Sequence, residues 1–103
     1  MPTDDVFVAL SNPVRRRLLE LLSEGSLTAG DLAARFDLSR PAVAEHLQVL
    51  RRAGLVRDET EGRHRHYHLV AEPLADVGQW LHPFERFWRD RMRTLATLLE
   101  EDS

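Results

Sequence analysis

Apolar residues recur three or four positions apart in the first half of the chain, which is the spacing of one face of an α-helix. The pattern predicts four successive helices, over residues 4–10, 13–23, 28–36 and 39–53. In each helix the apolar positions share one side and leave the other side polar. We therefore expect short amphipathic helices that pack against one another in this part of the chain.

Capping residues and glycines mark the limits of these helices. A side chain suited to an N-cap stands before each of the last three: Asn12, Thr28 and Ser39. Thr28 is followed three positions later by Asp31, in the form of a capping box. Gly25 and Gly54 stand where the second and the fourth helix are expected to end. The four segments therefore form separate helices.

The pattern changes after the fourth helix. Residues 55–60 and 64–69 read as two short strands around Gly62, which predicts a β-hairpin. Helical spacing returns over residues 73–100, and a proline there predicts a break near His82.

This order of elements is that of a winged helix-turn-helix with an extra helix at each end. We expect one domain over residues 1–103, mainly α with a small β-hairpin, because a chain of about 100 residues usually forms a single core. The helix-turn-helix occupies about 28–53 and the wing about 55–69. The added helices lie at about 4–10 and 73–100.

The net charge of −3 argues at first sight against a nucleic-acid partner, since phosphate binding depends on basic residues. The charge is unevenly distributed, however. Residues 39–68 carry six arginines against four acids, together with four of the five histidines, whereas the segments on both sides are net acidic. All 14 basic residues are arginine, which suits bidentate contacts with phosphate or guanine. The basic part of the chain is therefore the fourth helix and the wing.

The fourth helix carries polar side chains opposite its apolar face, and these could reach base edges in a major groove. Gln48 could pair with adenine, and Glu45 could accept a hydrogen bond from cytosine. Arg40 or Arg52 could contact guanine or phosphate. The alternative is that they are ordinary solvated residues of an exposed helix face.

The second strand of the hairpin alternates arginine with histidine. Arg63 and Arg65 face one way, and Arg63 near the tip is a candidate for a phosphate or the minor groove. Three nearby acids weaken this attraction: Asp58, Glu59 and Glu61. The other face carries three histidines: His64, His66 and His68. Two of them could chelate zinc or nickel, but we favour a solvated face whose partial protonation assists DNA binding.

Three segments resemble the ArsR/SmtB family of dimeric winged-helix transcriptional repressors over almost the whole chain: VFVALSNPVRRRLLELL, SLTAGDLAARFDLSRPAVAEHLQVLRRAGLV and EGRHRHYHL. The tail WLHPFERFWRDRM is similar to the branch that lacks the known metal boxes. The resemblance implies that the fourth helix reads DNA, that the hairpin is the wing, and that the first and last helices form a dimer interface.

The resemblance places DNA contacts on seven positions: Ser39, Arg40, Pro41, Glu45, His46, Gln48 and Arg63. Two further candidate DNA contacts are Arg52, on the polar face of the fourth helix, and Arg65, on the arginine face of the hairpin. Ala44 and Glu45 depart from the family pattern, which often has serine and a basic residue there, so a phosphate contact is lost. His46 flanks the apolar face, and the alternative for it is a hydrogen-bonded histidine at the edge of the core.

Aromatic and aliphatic residues of the terminal helices are expected to form the dimer interface: Val6, Phe7, Leu10, Trp80, Leu81, Phe84, Trp88 and Leu95. The aromatic cluster, which also includes Phe87, could instead hold a small molecule. We favour the interface, because aromatic residues at helical spacing in a small chain usually bury against a partner helix.

Relatives that sense metals use paired cysteines, and the corresponding positions here are Thr28 and Gly30. A second metal site of the family uses Asp and His near the start of the last helix and His and Glu farther on. The spacing of Asp76, His82 and Glu85 does not reproduce it. The chain has no cysteine, so a disulfide, a thiolate metal site and a cysteine nucleophile are excluded. We predict no metal and no cofactor, and the effector stays open.

The sequence thus predicts a DNA-binding transcriptional regulator, a homodimeric repressor acting on an inverted-repeat operator. The alternatives are a repressor that responds to a metal through its histidines and a winged-helix protein-interaction module that has lost DNA binding. No catalytic constellation is visible, so an enzyme is not expected. The absence of a signal peptide or a long apolar run predicts a cytoplasmic protein without a membrane partner.

Overall fold

A computed structural model of the chain describes residues 2–101 and, within them, the side chains of residues 4–101. The ends of the predicted domain, residues 1, 102 and 103, lie outside the described residues. The elements follow in this order: α1 (Pro2–Leu10), α2 (Pro13–Leu22), β1 (Leu27–Thr28), α3 (Ala29–Ala33), α4 (Arg40–Arg52), β2 (Val56–Glu61), β3 (His64–Leu69), α5 (Leu74–Leu81), a 3₁₀ helix (His82–Phe87) and α6 (Arg89–Glu101). The predicted helices and hairpin follow in the predicted order, and the fold is mainly helical, as expected. Two details differ: the short strand β1 is additional, and α3 ends at Ala33 although the pattern predicts a helix to residue 36.

The predicted capping side chains hold the helix starts. Asn12 Oδ1 accepts a hydrogen bond from the backbone N–H of Val14 at 2.8 Å. Ser39 Oγ accepts one from the N–H of Ala42 at 3.3 Å, which starts α4. Each of these bonds satisfies a backbone donor that has no partner inside the helix. Gly54 follows α4 with a φ of 77°, a conformation that glycine adopts without steric cost.

The sheet has a strand that the sequence pattern did not predict. β1 has only two residues, and it pairs antiparallel with β3 through Leu27 and Tyr67. β3 is therefore the central strand, in the order β1-β3-β2. Two residues are too short to show an alternation, which is why the pattern predicted only the hairpin.

A single cluster of buried side chains joins the first four helices to β2. α2 contributes four leucines, and α4 contributes its apolar face: Val43, Leu47 and Leu50. Leu32 of α3 is fully buried against them. Truncating a buried leucine to alanine typically costs about 2–5 kcal/mol, so this packing fixes the orientation of α4.

The helices after the wing bury less apolar surface than the first four helices. α5 ends at Leu81, and the predicted break near His82 is confirmed by the 3₁₀ helix that starts there. Neither α5 nor α6 contains a buried residue. The large apolar side chains of α6 are all more than half exposed: Met92, Leu95, Leu98 and Leu99. Within residues 2–101, no helix is both long and apolar enough to cross a membrane.

Candidate nucleic-acid interface

α4 presents the polar face that the sequence predicts. Its inward side chains are almost completely buried, and the predicted contact residues on its other side are exposed: Arg40, Pro41, Glu45, Gln48 and Arg52. The N-cap residue Ser39 is also exposed. Because burial of the apolar face fixes the roll of the helix, these side chains point to solvent together, as entry into a major groove requires. Their base contacts stay a prediction.

Arg40 lies across the first turn of α3. Its Nη2 atom is 3.1 Å from the point that a Cβ atom on Gly30 would occupy. The guanidinium reaches this position because Gly30 has no side chain. α3 and the start of α4 are thus packed closely at the point where both face the wing.

An open groove of about 480 Å³ separates these two helix starts from the tip of the hairpin. We call it the arginine groove, and its lining residues come from β1, α3, α4 and the wing: Thr28, Ala29, Gly30, Asp31, Arg40, Arg63, His64 and Arg65. Three arginines therefore converge on it, Arg40 from α4 and both Arg63 and Arg65 from the wing. Guanidinium groups in such an arrangement attract and orient phosphate oxygens.

Asp31 is the acidic residue of this groove, and it serves as a helix cap. Its carboxylate accepts a hydrogen bond from the N–H of Thr28 at 3.3 Å, and its own N–H donates to Thr28 Oγ1 at 3.0 Å. Hydrogen bonding by Thr28, through its side chain first and its backbone second, holds the pKa of Asp31 below the ordinary value. The capping box that the sequence predicts is therefore confirmed.

Asp58 forms two ion pairs within the protomer. Its carboxylate pairs with Arg51 Nε and with Arg65 Nε, each at 3.2 Å. Its expected weakening of the attraction between the wing and DNA stays a prediction. Arg65, predicted as a DNA contact, is thus an internal partner of Asp58 through Nε. Arg63 stands exposed at the hairpin turn, as predicted.

The histidines of β3 face glutamates of β2. His66 Nε2 lies 3.7 Å from Glu61, and His68 Nε2 lies 3.7 Å from Glu59. Glu59 also pairs with Arg57. In the part of the chain that the structure describes, no three His, Asp or Glu side chains form a group that could hold a metal ion.

His46 contacts Arg15, a residue that no sequence pattern marks as functional. Arg15 Nη1 lies 3.2 Å from His46 Nδ1, while the same guanidinium donates to the carbonyls of Ala9 at 2.7 Å and Val8 at 3.1 Å. These bonds match the alternative of a histidine at the edge of the core. Residues 15 and 46 belong to different helices, so no local pattern could have paired them.

The expected interface residues divide into two groups. Val6 is 1% exposed and packs inside the protomer, so the structure corrects its expected place in a subunit interface. Phe7 meets the Trp80 ring edge to face with centroids 5.6 Å apart, and Trp80 meets Phe84 at 5.0 Å. These rings join α1 to α5 within one chain. Trp80 nevertheless stays 56% exposed, and Leu95 equally so.

The remaining expected interface residues keep partial or full exposure. Leu10 is half-buried and packs against the core cluster from the end of α1, and Leu81 is half-buried at the end of α5. Trp88, between the 3₁₀ helix and α6, is exposed. Their contacts with a second subunit stay a prediction.

Comparison with known proteins gives a consistent result. Residues 10–59 match a protein family described as a helix-turn-helix domain. The chain is 38% identical over 78 residues to the transcriptional repressor SdpR of Bacillus subtilis, and the match covers 76% of this chain and 87% of that protein. The range 10–59 includes α3 and α4, which form the helix-turn-helix.

Solved structures agree with this result. The crystal structure of an ArsR family transcriptional regulator, RHA00566, superposes with a TM-score of 0.77 at 33% identity, covering 85% of this chain and 97% of the other. The solution structure of the homodimeric winged helix-turn-helix DNA-binding domain of Mb0332 from Mycobacterium bovis superposes with a TM-score of 0.68 at 25% identity, covering 84% and 82%. The predicted winged helix-turn-helix fold is confirmed.

Proposed function

Because the chain belongs to the ArsR/SmtB family of winged helix-turn-helix transcriptional regulators, we propose that it is a homodimeric repressor of an inverted-repeat operator. Two copies of α4 enter successive major grooves, about 34 Å apart along the duplex. The wings contact the flanking backbone or the minor groove. The dimer acts by binding in the cytoplasm, not by catalysis, and excludes polymerase from the promoter.

The observation that carries the proposal is that the polar face of α4 is exposed and that Arg40, at its start, faces the exposed Arg63 of the wing across the arginine groove. In this proposal Gln48 reads adenine, and Arg40 or Arg52 contacts guanine or phosphate. Glu45 accepts from cytosine N4 and therefore selects against bases that lack this donor. Ser39, Pro41 and His46 lie at the edges of the same contact.

Support for the homodimer comes from the exposed apolar side chains of the helices that follow the wing. The apolar face of α6 and the rings of Trp80 and Trp88 are exposed in a single protomer. Exposed apolar patches of this kind mark interaction surfaces. The similar Mb0332 domain is described as homodimeric, which is the assembly that an inverted repeat requires.

The test replaces Arg40, Gln48 and Arg63 together with alanine and measures binding to the promoter region of the protein's own gene. We expect the triple variant to lose sequence-specific binding while keeping its helical content, because no replaced side chain is buried. The matched control is Arg17→Ala on α2, which removes an exposed arginine that pairs with Glu20. A triple variant that binds like the control would contradict the proposal and favour the protein-interaction alternative.

A further inference from the structure

One carboxylate connects α4 to both strands of the wing. Asp58 lies on β2, and its side chain is only 13% exposed. Its Oδ1 atom is 3.2 Å from Nε of Arg51 in the last turn of α4, and its Oδ2 atom is 3.2 Å from Nε of Arg65 on β3. The two carboxylate oxygens therefore pair with different elements, Oδ1 with α4 and Oδ2 with β3.

The wing needs such a connection. A two-stranded hairpin is marginally stable by itself, and β1 supports β3 only at Thr28 and Leu27, opposite His66 and Tyr67. Beyond that register β2 and β3 pair only with each other out to the turn. Arg65 lies on this unsupported part, whereas Asp58 lies opposite Tyr67 at its base. The pair with Arg65 therefore links the unsupported part to its base, and the pair with Arg51 connects that base to the helix expected to read DNA.

We propose that Asp58 is a positioning residue for DNA recognition. By holding α4 and the wing at a fixed angle, it lets Arg63 reach the DNA backbone when α4 enters the major groove. The ordering of the wing then precedes binding and does not reduce the affinity. The inference rests on the proposed DNA-binding function and adds a residue that itself touches no DNA.

Charge alone predicts the opposite effect of Asp58. An acid close to a polyanion repels it, so its removal should strengthen binding and release two arginines toward phosphates. The positioning role predicts weaker binding, because the wing would have to be ordered during association. Whether DNA affinity rises or falls when Asp58 is replaced therefore distinguishes charge repulsion from positioning.

The experiment compares Asp58→Asn with the wild-type protein on one operator duplex, over a range of salt concentrations. We expect the dissociation constant to rise about threefold to thirtyfold, the range that the loss of two partly exposed ion pairs allows. We also expect the slope of log K against log salt to become shallower by about one, since the Arg63 contact with phosphate is lost. Thermal melting checks that the variant is folded.

The matched control is Glu61→Gln, which removes the same charge from the same hairpin. Glu61 lies near His66 and takes no part in the pairs of Asp58. This control should bind DNA as tightly as the wild type or more tightly, as the loss of a repulsive charge predicts. Weakening by the control equal to that of Asp58→Asn would overturn the inference.

A double-mutant cycle gives a readout that a purely structural role would not change. Arg63→Ala should weaken binding in the wild type and have a smaller effect in the Asp58→Asn background, because the wing is already misplaced there. If Asp58→Asn does not fold, the same cycle is run with Arg65→Gln, and the same loss of coupling is expected. Additive effects would overturn the inference.

The outcomes distinguish a failure of the proposed function from a failure of the positioning role. Wild-type protein that shows no sequence preference would overturn the proposed function and the inference together. Wild-type protein that binds its operator while Asp58→Asn binds equally well or better would overturn only the positioning role of Asp58.

Discussion

Arg40 lies against Gly30 because glycine leaves the space that a methyl group would fill. A Cβ atom on Gly30 would lie 3.1 Å from Nη2 of Arg40, which is closer than an ordinary contact, so the exposed guanidinium would have to shift slightly. Gly30 sits inside α3 with an ordinary helical backbone, where glycine is less favourable than alanine by about 1 kcal/mol. Alanine at position 30 would therefore stabilise the helix better, whereas glycine leaves the space that the Arg40 guanidinium occupies.

Gly30→Ala should make the protein more stable and weaker at binding DNA. We expect the free energy of unfolding to rise by about 0.5–1 kcal/mol, from the helix propensity. Operator affinity should fall slightly, because the Arg40 guanidinium has to shift from its place in the arginine groove. Urea denaturation and equilibrium DNA binding measure the two effects. In an Arg40→Ala background the substitution should leave affinity unchanged, and a further loss there would contradict the account.

Asp31 makes the stability of α3 depend on pH in the acidic range. Its pKa is lowered in the folded state from an ordinary value of 3.8, so its contribution is complete above that value and is lost as the pH falls further. Asp31→Asn should therefore be less stable than the wild type at neutral pH. The difference should shrink below pH 3.8, as measured by thermal melting across pH. A difference independent of pH would contradict the role of the carboxylate.

Among the elements, Arg15 connects three helices. It starts from α2, donates to the carbonyls of Val8 and Ala9 at the end of α1, and meets His46 on α4. A helix end leaves carbonyl groups without partners, and a guanidinium with its forked donors satisfies two of them at once. The helix expected at the dimer interface is thereby joined to the helix expected to read DNA.

Arg15→Lys should lower the free energy of unfolding by about 1–2 kcal/mol, although the charge is kept. A lysine ammonium cannot reach both carbonyls and His46 in the same planar arrangement. Arg16→Lys is the matched control, since Arg16 donates to Leu10 alone among the α1 carbonyls and is more exposed. Urea denaturation of both variants tests this, and equal effects would contradict the connecting role of Arg15.

Elements whose signals are local could be predicted from the sequence. Asn12, Thr28 and Ser39 cap their helices as predicted, and a glycine with positive φ ends α4. β1 is too short to carry a pattern, and it exists because β3 offers it a partner. The pairs of Asp58 likewise depend on the docking of the wing against α4. Such contacts between distant residues follow from the packing of the core and not from local periodicity.

At the scale of the whole molecule, charge and apolar surface are separated. The basic segment lies on α4 and the wing, where three arginines converge in the arginine groove. The exposed apolar side chains lie mainly in the last third of the chain, on the 3₁₀ helix and α6. The net charge of −3 therefore limits nonspecific affinity for DNA without excluding DNA as the partner.

Leu95→Glu should disrupt the proposed dimer. Leu95 lies in the apolar stripe of α6, and a carboxylate there would be desolvated against the second subunit. We expect light scattering to report a monomer and the operator affinity to fall, since each protomer then binds one half-site. Thr97→Glu, on the opposite face of α6, adds the same charge and should leave the dimer intact. A dimeric Leu95→Glu protein would place the interface elsewhere.

If α4 and the wing function as proposed, the protein distinguishes one DNA sequence from others. The most direct measurement selects fragments of genomic DNA on the purified protein and then determines the dissociation constant of the best fragment against a random duplex at about 150 mM salt. We expect an inverted repeat that is bound at least about a thousandfold more tightly than the random duplex. Equal affinity for both duplexes, at any salt concentration that permits binding, would contradict it.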